Sequence, residues 1–452
     1  MQIPAGNNYF EKKTVKRLFS RVDNSPLITF RILLGFLLAF QCIRFIAEDK
    51  VYENFIQPPF TFNYIGFEFL QPLPGNGMYF YFGLMALLGL LIMVGAWYRI
   101  STISFTILWL GIYLMQKSDY NNHYYLVLLV CFLMCFMPAN AYTSLDVKMN
   151  PEKRSISCPQ WVPLVFIIQL AIIYFYAALG KLSGDWLSGK FIALQFARLS
   201  THHFTGPFYS NHYFQLLICY GGILFDMFII PLLLWKKTRP FALIFFCLFH
   251  LFNSYTFFIG IFPYLSMAMA IFFVNPDKLR SLLFFSKTPF IKNHNDPVHK
   301  TFTRRLFVAG LIAFILLQVA LPMRPWFYPG NVFWTEEGYR MSWKMMLRIK
   351  TGNIHFKVSD PVSGNKWIIN PSEKFSRLHV NCLAISPDII WQYAQRIKKE
   401  FNSKGYPEIK VFAIDSVSLN NNPRQLFIDT TVDLAAVKWQ PFKHSEWIMK
   451  YN

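Results

Sequence analysis

Nine apolar stretches, each long enough or nearly long enough to cross a bilayer, constrain this chain more than any other feature of its sequence. The hydrocarbon core of a bilayer is about 30 Å thick, which about 20 helical residues cross. With 54% hydrophobic residues over 452 positions, the stretches predict a polytopic α-helical membrane protein of about nine spans. They lie at about 27–47, 77–97, 101–116, 122–139, 161–180, 212–235, 239–258, 261–275 and 305–322.

Basic residues are concentrated in alternate loops, and this asymmetry predicts the orientation because such residues resist translocation. Nineteen lysines and arginines fall on one side, whereas the opposite loops hold five, at Lys50, Lys117, Lys181, Lys190 and Arg198. We therefore expect a cytoplasmic amino terminus and, after an odd number of spans, an extracytoplasmic C-terminal part. The absence of any Asn-x-Ser/Thr glycosylation site favours a bacterial cytoplasmic membrane over the endoplasmic reticulum.

The net charge of +20 does not by itself predict nucleic-acid binding. Much of the excess lies in the orienting loops, where basic residues determine topology and contact anionic lipid. The lipid bilayer, and not nucleic acid, is the partner that the charge predicts.

The C-terminal part differs from the rest of the chain in its pattern of apolar and polar residues. From residue 324 to 452 the sequence is alternating and turn-rich, so we divide the chain into a transmembrane domain, 1–323, and an extracytoplasmic domain, 324–452. Segments 353–370 and 408–430 each read as two strands joined by a turn, and 386–401 reads as an amphipathic helix that begins after Ser386. We expect a β-rich domain with one amphipathic helix.

Polar side chains at membrane depth are energetically expensive and are therefore candidates for function. Three clusters occur at the predicted outward ends of spans: DYNNHYY (119–125), GKLSGDW (180–186) and FHLFNSYTFFIGIFPY (249–264). We expect all three to face one chamber. Their candidate residues are Asn122, His123, Lys181, Trp186, His250 and Asn253.

These residues also have ordinary structural interpretations. A lysine at a helix end extends its amine toward the interface, and a buried histidine bonds to a nearby polar group. His202, His203 and His212 lie in one aromatic loop, but no carboxylate or cysteine is spaced to complete a metal site, so we expect no metal.

Lys181 has a more specific chemical interpretation. Burial with few counter-charges favours the neutral form of an amine. A neutral amine can deprotonate an acidic phenol, but it cannot deprotonate an unactivated carbon. A reaction at such a carbon therefore needs an intermediate base of much greater strength.

Seven sequence blocks in order resemble the vitamin K-dependent gamma-glutamyl carboxylase family and its HTTM-domain relatives, in a short bacterial-type form. The resemblance covers about residues 28 to 447. The blocks are MYFYFGLMALLGLLIMVGAWYRIS (78–101), NNHYYLVLLVCFLMCFMPANAYTSLD (121–146), YFYAALGKLSGDW (174–186), FHLFNSYTFFIGIFPY (249–264), GYRMSWKMM (338–346), WIINP (367–371) and VDLAAVKWQPF (432–442).

The resemblance implies a lyase-type carboxylation coupled to vitamin K epoxidation. An amine deprotonates reduced vitamin K or menaquinone, oxygen adds, and the strong base that results removes the gamma proton of a peptide glutamate, whose carbanion takes up carbon dioxide. It further implies that Lys181 is the base and that His123 and His250 assist, with Asn122, Asn253 and Trp186 around the quinone. Tyr339, Ser342 and Trp343 fall in the segment similar to the family's glutamate-binding stretch.

The chain departs from typical animal members of the family at several points. It has Gly180 where they have a second lysine, Arg348 where they have a histidine, and no cysteine between residues 48 and 76. Two other functions stay open: quinol epoxidation without carboxylation, and a non-enzymatic membrane scaffold or lipid-binding protein. A transporter is disfavoured because the sequence has no internal repeat.

Overall fold

An apolar helical bundle forms the first part of the chain, and a smaller domain of strands and helices follows it. The computed structural model describes residues 17–197, 199–201, 206–257, 259–291 and 301–451. The main bundle helices are α1 (Ser25–Ala47), α2 (Gly77–Val94), α3 (Tyr98–Met115), α4 (Asn122–Met134), α5 (Trp161–Gly180), α6 (His212–Leu234), α7 (Arg239–Phe257), α8 (Phe262–Met269) and α9 (Thr301–Ala320). Shorter helices lie at Leu145–Met149, Gly184–Leu187, Lys190–Phe196, Gly206–Ser210, Pro276–Leu283 and Val332–Thr335.

Seven helices in the described part of the chain are long and apolar enough to cross a membrane. They include α3, although its sequence stretch is one of the two shortest. The other two predicted spans form shorter helices, α4 and α8, and α8 continues as a 3₁₀ turn to Phe273. The polytopic membrane class is thus supported, whereas the number nine stays a prediction.

Contacts between distant loops show which helix ends lie together. Strand β1 (Arg21–Asp23) pairs antiparallel with β2 (Ser157–Pro159), so α1 and α5 begin at the same end of the bundle. The amine of Lys287 reaches Asp23 Oδ1 and Ser25 Oγ at that end, each at 2.6 Å. The carboxyl end of α5, which carries Lys181, is therefore at the opposite end.

Two glycines allow α1 and α2 to pack in close contact. A Cβ atom on Gly35 would lie 2.7 Å from the carbonyl oxygen of Gly89, and one on Gly89 would lie 2.7 Å from the backbone nitrogen of Ala39. Both distances are shorter than van der Waals contact. In lipid the hydrophobic effect does not drive helices together, because lipid tails are as apolar as the side chains. Small residues instead let the two backbones approach closely and gain dispersion energy.

The C-terminal domain is built on a three-stranded antiparallel sheet of order β4-β3-β5. Its strands are β3 (Lys350–Ser359), β4 (Lys366–Ile369) and β5 (Lys410–Leu419). Helices α10 (Arg377–Ile385) and α11 (Pro387–Ser403) complete it, and α11 buries Ile389, Tyr393, Ile397 and Phe401, as its pattern predicts.

Two details of the C-terminal prediction are wrong. The described residues of the domain form three α-helices and not one, namely the short Val332–Thr335, α10 and α11, so it is a mixed domain of strands and helices and not a β-rich one. Residues 424–430 form isolated bridges, such as Val417 with Gln425, in place of a continuous fourth strand. Asn420 and Asn421, both left-handed with φ of 51° and 58°, form the turn after β5. The chain then returns past Pro423, which has no amide donor, and meets β5 in the bridge between Val417 and Gln425 instead of a continuous ladder. The proposed boundary after residue 323 stays a prediction.

The C-terminal domain contacts the end of the bundle that carries Lys181. Asp388, at the start of α11, forms ion pairs with Lys117 at 2.6 Å and with Arg340 at 2.7 Å. Tyr120 Oη accepts a hydrogen bond from Met341 N at 2.5 Å. These contacts join the predicted outward loops to the segment between α9 and the sheet.

Candidate functional site

One cavity at this end of the bundle collects most of the predicted site residues. It lies between α4, α5, α6, α7 and the loop that follows α5. Five of the nine predicted residues line it: His123, Lys181, Trp186, His250 and Asn253. Its wall is otherwise mostly aromatic and aliphatic, formed by Tyr174, Ala177, Phe191, Ile192, Ile218, Gly222, Phe249, Phe257, Ile259, Phe262, Met345 and Met346, with Asp226 as its acidic residue.

Lys181 lies at the C-terminal cap of α5 and forms an ion pair with Asp226 of α6. The two side chains are 11% and 4% exposed, and the amine lies 5.4 Å from the centre of the Trp186 ring. Asp226 is a counter-charge that the interpretation of Lys181 as a neutral amine did not include. The lysine and the carboxylate form one buried pair at the edge of the cavity.

Asp226 is a functional candidate that the sequence reasoning missed. It is the single acidic residue of the apolar stretch 212–235, and an acidic residue at membrane depth is a signal for a functional site. Asp226 is not part of a polar cluster at a span end, because it lies inside a span. Helix α6 carries it to the same depth as the end of α5.

The two predicted histidines both contact Phe262. The ring of His123 stacks on that of Phe262 with 5.0 Å between centroids, and the ring of His250 meets it edge-on at 5.9 Å. His250 Nε2 is 2.7 Å from Tyr174 Oη, a second cavity residue that the sequence reasoning missed. In both histidines, Nδ1 has no hydrogen-bond partner among the described residues.

The predicted quinone-binding residues separate into two groups. Trp186 and Asn253 line the cavity, and the indole Nε1 of Trp186 donates to the carbonyl of Cys219 at 2.9 Å. Asn122 lies outside the cavity lining, where its Oδ1 accepts from Tyr120 Oη at 3.0 Å. Asn122 thus supports the loop that holds His123.

The predicted glutamate-binding residues do not line the cavity themselves. They belong to a segment that we call the strap, residues 336–346, whose last two residues, Met345 and Met346, do line it. Tyr339 Oη donates to the carbonyl of Lys344 at 3.0 Å, and Ser342 Oγ donates to that of Tyr339 at 2.5 Å. Trp343 is buried, with its ring 5.3 Å from that of Tyr125. These three side chains therefore shape the strap.

The strap has an unusual backbone. Besides Gly338, four of its residues have positive φ: Glu336 at 63°, Met341 at 62°, Trp343 at 57° and Met346 at 55°. Such conformations are unfavourable for residues with a side chain and persist only where surrounding contacts hold them, which is common at ligand sites.

No group of three or more metal-ligating side chains comes together within the part of the chain that the structure describes. His202 and His203 lie outside the described residues. His212 is the first residue of α6.

Comparison with known protein families matches two regions of the chain. The HTTM domain model matches residues 19–278, which contain Lys181, His123, His250 and Asp226. The model of the vitamin K-dependent gamma-carboxylase lumenal domain matches residues 303–452. No solved structure matches the chain.

Proposed function

Because the chain belongs to the vitamin K-dependent gamma-glutamyl carboxylase family, we propose that it oxygenates a reduced lipid quinone to its epoxide and thereby drives carboxylation of peptide glutamate. The observation that supports this most is the convergence of Lys181, His123 and His250 on one aromatic cavity. Its apolar wall suits a quinone ring.

The reduced quinone, when bound, supplies the strong base for glutamate through its reaction with oxygen. Lys181 accepts the phenolic proton, which requires its amine to be neutral. The contact with Asp226 offers a place for the proton that must leave the amine first, since a buried carboxyl can hold it. We therefore assign proton storage to the pair and proton acceptance to Lys181.

His123 and His250 line the same cavity and assist the reaction there. Each has an Nδ1 atom without a partner among the described residues, so each has a free donor or acceptor position for a bound oxygen atom. Tyr174 holds the ring of His250 through its hydroxyl. The surrounding aromatic side chains exclude water, which would otherwise quench a strong base before it meets glutamate.

Epoxidation without carboxylation is the second candidate. Tyr339, Ser342 and Trp343 lie outside the cavity lining, and Arg348, at the family's histidine position, is ion-paired with Glu336. Both observations favour the quinone half of the reaction over the glutamate half. Both functions use Lys181 as the base, and they differ in whether carboxylated peptide is formed.

One assay separates these functions. Purified protein in detergent receives reduced vitamin K or menaquinone, oxygen, labelled carbon dioxide and a glutamate peptide, and both products are followed. We expect epoxide and labelled peptide in a fixed ratio. Epoxide alone would select the second candidate, and neither product would favour a membrane scaffold.

We also propose that the amino terminus is cytoplasmic and that the cavity opens on the extracytoplasmic side of a bacterial membrane. The distribution of basic loop residues supports this orientation. Reporter fusions at residues 236 and 452 test it, because only the second should report an extracytoplasmic location.

A further inference from the structure

A second cavity lies on the other side of the strap, between the C-terminal domain and the loop between α1 and α2. It is more polar than the first. We call it the groove. Its charged residues are Arg324, Glu336, Glu337, Arg340, Asp388 and Lys443.

The carboxylates that line the groove are all engaged. Glu336 is ion-paired with Arg348, which lies behind the groove. Asp388 pairs with Arg340 and with the buried Lys117. The neighbouring Arg340 and Lys117 hold the pKa of Asp388 below its usual value, although burial opposes this. The carboxylate therefore stays charged and paired.

Glu337 is engaged as well. Its Oε2 is 2.7 Å from His444 Nδ1, and its Oε1 accepts from Ser445 N at 2.9 Å. No carboxylate lining the groove thus remains without a donor, so the acidic side chains contribute little attraction for a cation.

Two cations that line the groove, unlike its carboxylates, have no partner of opposite charge among the described residues. The guanidinium of Arg324 donates to the carbonyl oxygens of Leu321, at 3.1 Å, and of Arg340. Lys443 is exposed. Neither forms an ion pair with a carboxylate among the described residues. The lining itself holds three cations and three carboxylates, and two of those carboxylates also pair with Lys117 and Arg348 behind the wall. With these two partners counted, five cations face three carboxylates, so the region of the groove has an excess of positive charge.

The groove and the first cavity share the strap as a common wall. Glu336, Gly338, Arg340 and Met341 line the groove, whereas Met345 and Met346 line the cavity. A chain held in the groove would therefore lie beside the segment that borders Lys181.

We propose that the groove docks an acidic stretch of the peptide substrate, with Arg324 and Lys443 receiving its carboxylates. This rests on the proposed function, since it takes the substrate to be a glutamate-containing peptide. Docking here places acidic residues that flank the reacting glutamate on the C-terminal domain, while the reacting side chain is presented at the strap. The site selects peptides by charge and takes no part in the chemistry.

Binding, measured without turnover, tests the proposal independently of the proposed function. The intact protein in zwitterionic lipid nanodiscs is titrated with a short fluorescein-labelled glutamate peptide whose flanking residues are aspartate, and with the same peptide carrying asparagine flanks. Fluorescence anisotropy gives both dissociation constants. We expect tighter binding of the acidic-flank peptide, by about fivefold or more, and loss of that preference at high salt.

The variants are Lys443→Glu, Arg324→Gln and, as a matched control, Lys366→Glu, which reverses an exposed charge of the same domain outside the groove. Lys443→Glu should abolish the preference for acidic flanks while leaving binding of the asparagine-flank peptide unchanged, and the control should leave both unchanged. Because Arg324 also bonds to backbone carbonyls, a circular dichroism melt accompanies its variant.

Equal affinity for the two peptides would overturn the proposal, and so would an equal loss in Lys443→Glu and Lys366→Glu. If the protein makes epoxide but no carboxylated peptide, while the charge preference and its loss in Lys443→Glu persist, the groove stands as an acidic-peptide site and the carboxylase assignment fails. If carboxylation occurs without the preference, the assignment stands and the groove proposal fails.

Discussion

Lys181 at the end of α5 and Asp226 within α6 form a buried ion pair at the edge of the aromatic cavity. Removing one member of such a pair leaves an unpaired buried charge and costs about 3–5 kcal/mol, whereas replacing both with apolar groups is often tolerated. We therefore expect Lys181→Met and Asp226→Leu each to lower the Tm, and the double variant to recover much of the loss. Tryptophan fluorescence melts of the purified protein give the double-mutant cycle. Strictly additive changes would show that the two side chains are not coupled.

The hydrogen bond between Tyr174 and His250 gives a second prediction. Tyr174→Phe removes the hydroxyl that holds the imidazole, so we expect epoxide formation to fall about tenfold, equivalent to about 1.4 kcal/mol in the barrier. Tyr176→Phe is the matched control, because it deletes a hydroxyl on the same helix that bonds to the carbonyl of Val319. Equal effects of the two variants on the rate would contradict a role for Tyr174 in the cavity.

Gly180 is constrained by the C-terminal domain. A Cβ atom there would lie 2.8 Å from a methyl carbon of the buried Leu347 and 3.4 Å from Cγ of Lys344. We expect Gly180→Ala to lower the free energy of unfolding by about 1 kcal/mol through overpacking. Gly221→Ala is the control, since a Cβ in that helical position meets nothing within 4 Å. A Tm that rises equally in both variants would show that the segment after the strap does not press on α5.

Lys350 predicts a pH dependence of stability. Its side chain is fully buried, its amine donates to the carbonyls of Trp334 at 2.5 Å and Ile385 at 2.8 Å, and burial lowers its pKa from 10.5 to about 7. Because the folded pKa is below the unfolded one, the unfolded chain binds more protons between pH 7 and 10.5, and the contribution of this group to stability increases with pH across that window.

The Tm of the wild type should therefore rise relative to that of Lys350→Met between pH 7 and pH 9.5. Scanning calorimetry of both proteins over this range measures the difference, and the subtraction removes the effect of groups common to both. Parallel curves would mean that Lys350 is not buried as a titrating amine.

The helices were predictable where the spacing of apolar residues alone determines them. Apolar runs predicted helices in all nine places, and the amphipathic pattern of 386–401 predicted α11 and its buried face. Helix lengths were harder to predict from the sequence. Helix α4, for example, ends at Met134 although apolar residues continue to Ala139. The fourth strand was wrong because residues 424–430 return to β5 after the turn at 420–423 but form an isolated bridge there, and a short alternating pattern does not show whether a full ladder forms.

The candidate site was predictable to the extent that polar residues at span ends indicate it. This signal identified Lys181, His123, His250, Trp186 and Asn253, all of which line the cavity. It could not identify partners that lie inside other spans. Asp226 and Tyr174 are brought to the cavity by the packing of α5, α6 and α7, which is a tertiary relationship that no local spacing reveals.

The account depends above all on Lys181 as the group that accepts the phenolic proton. The most direct test is the rate of quinone epoxide formation by Lys181→Met, compared with Lys237→Met, which removes an exposed lysine after α6 at the opposite end of the bundle. We predict that epoxide formation falls by about 10²-fold or more in the first variant and is unchanged in the second. Epoxide formation at the wild-type rate by a folded Lys181→Met protein would contradict the account.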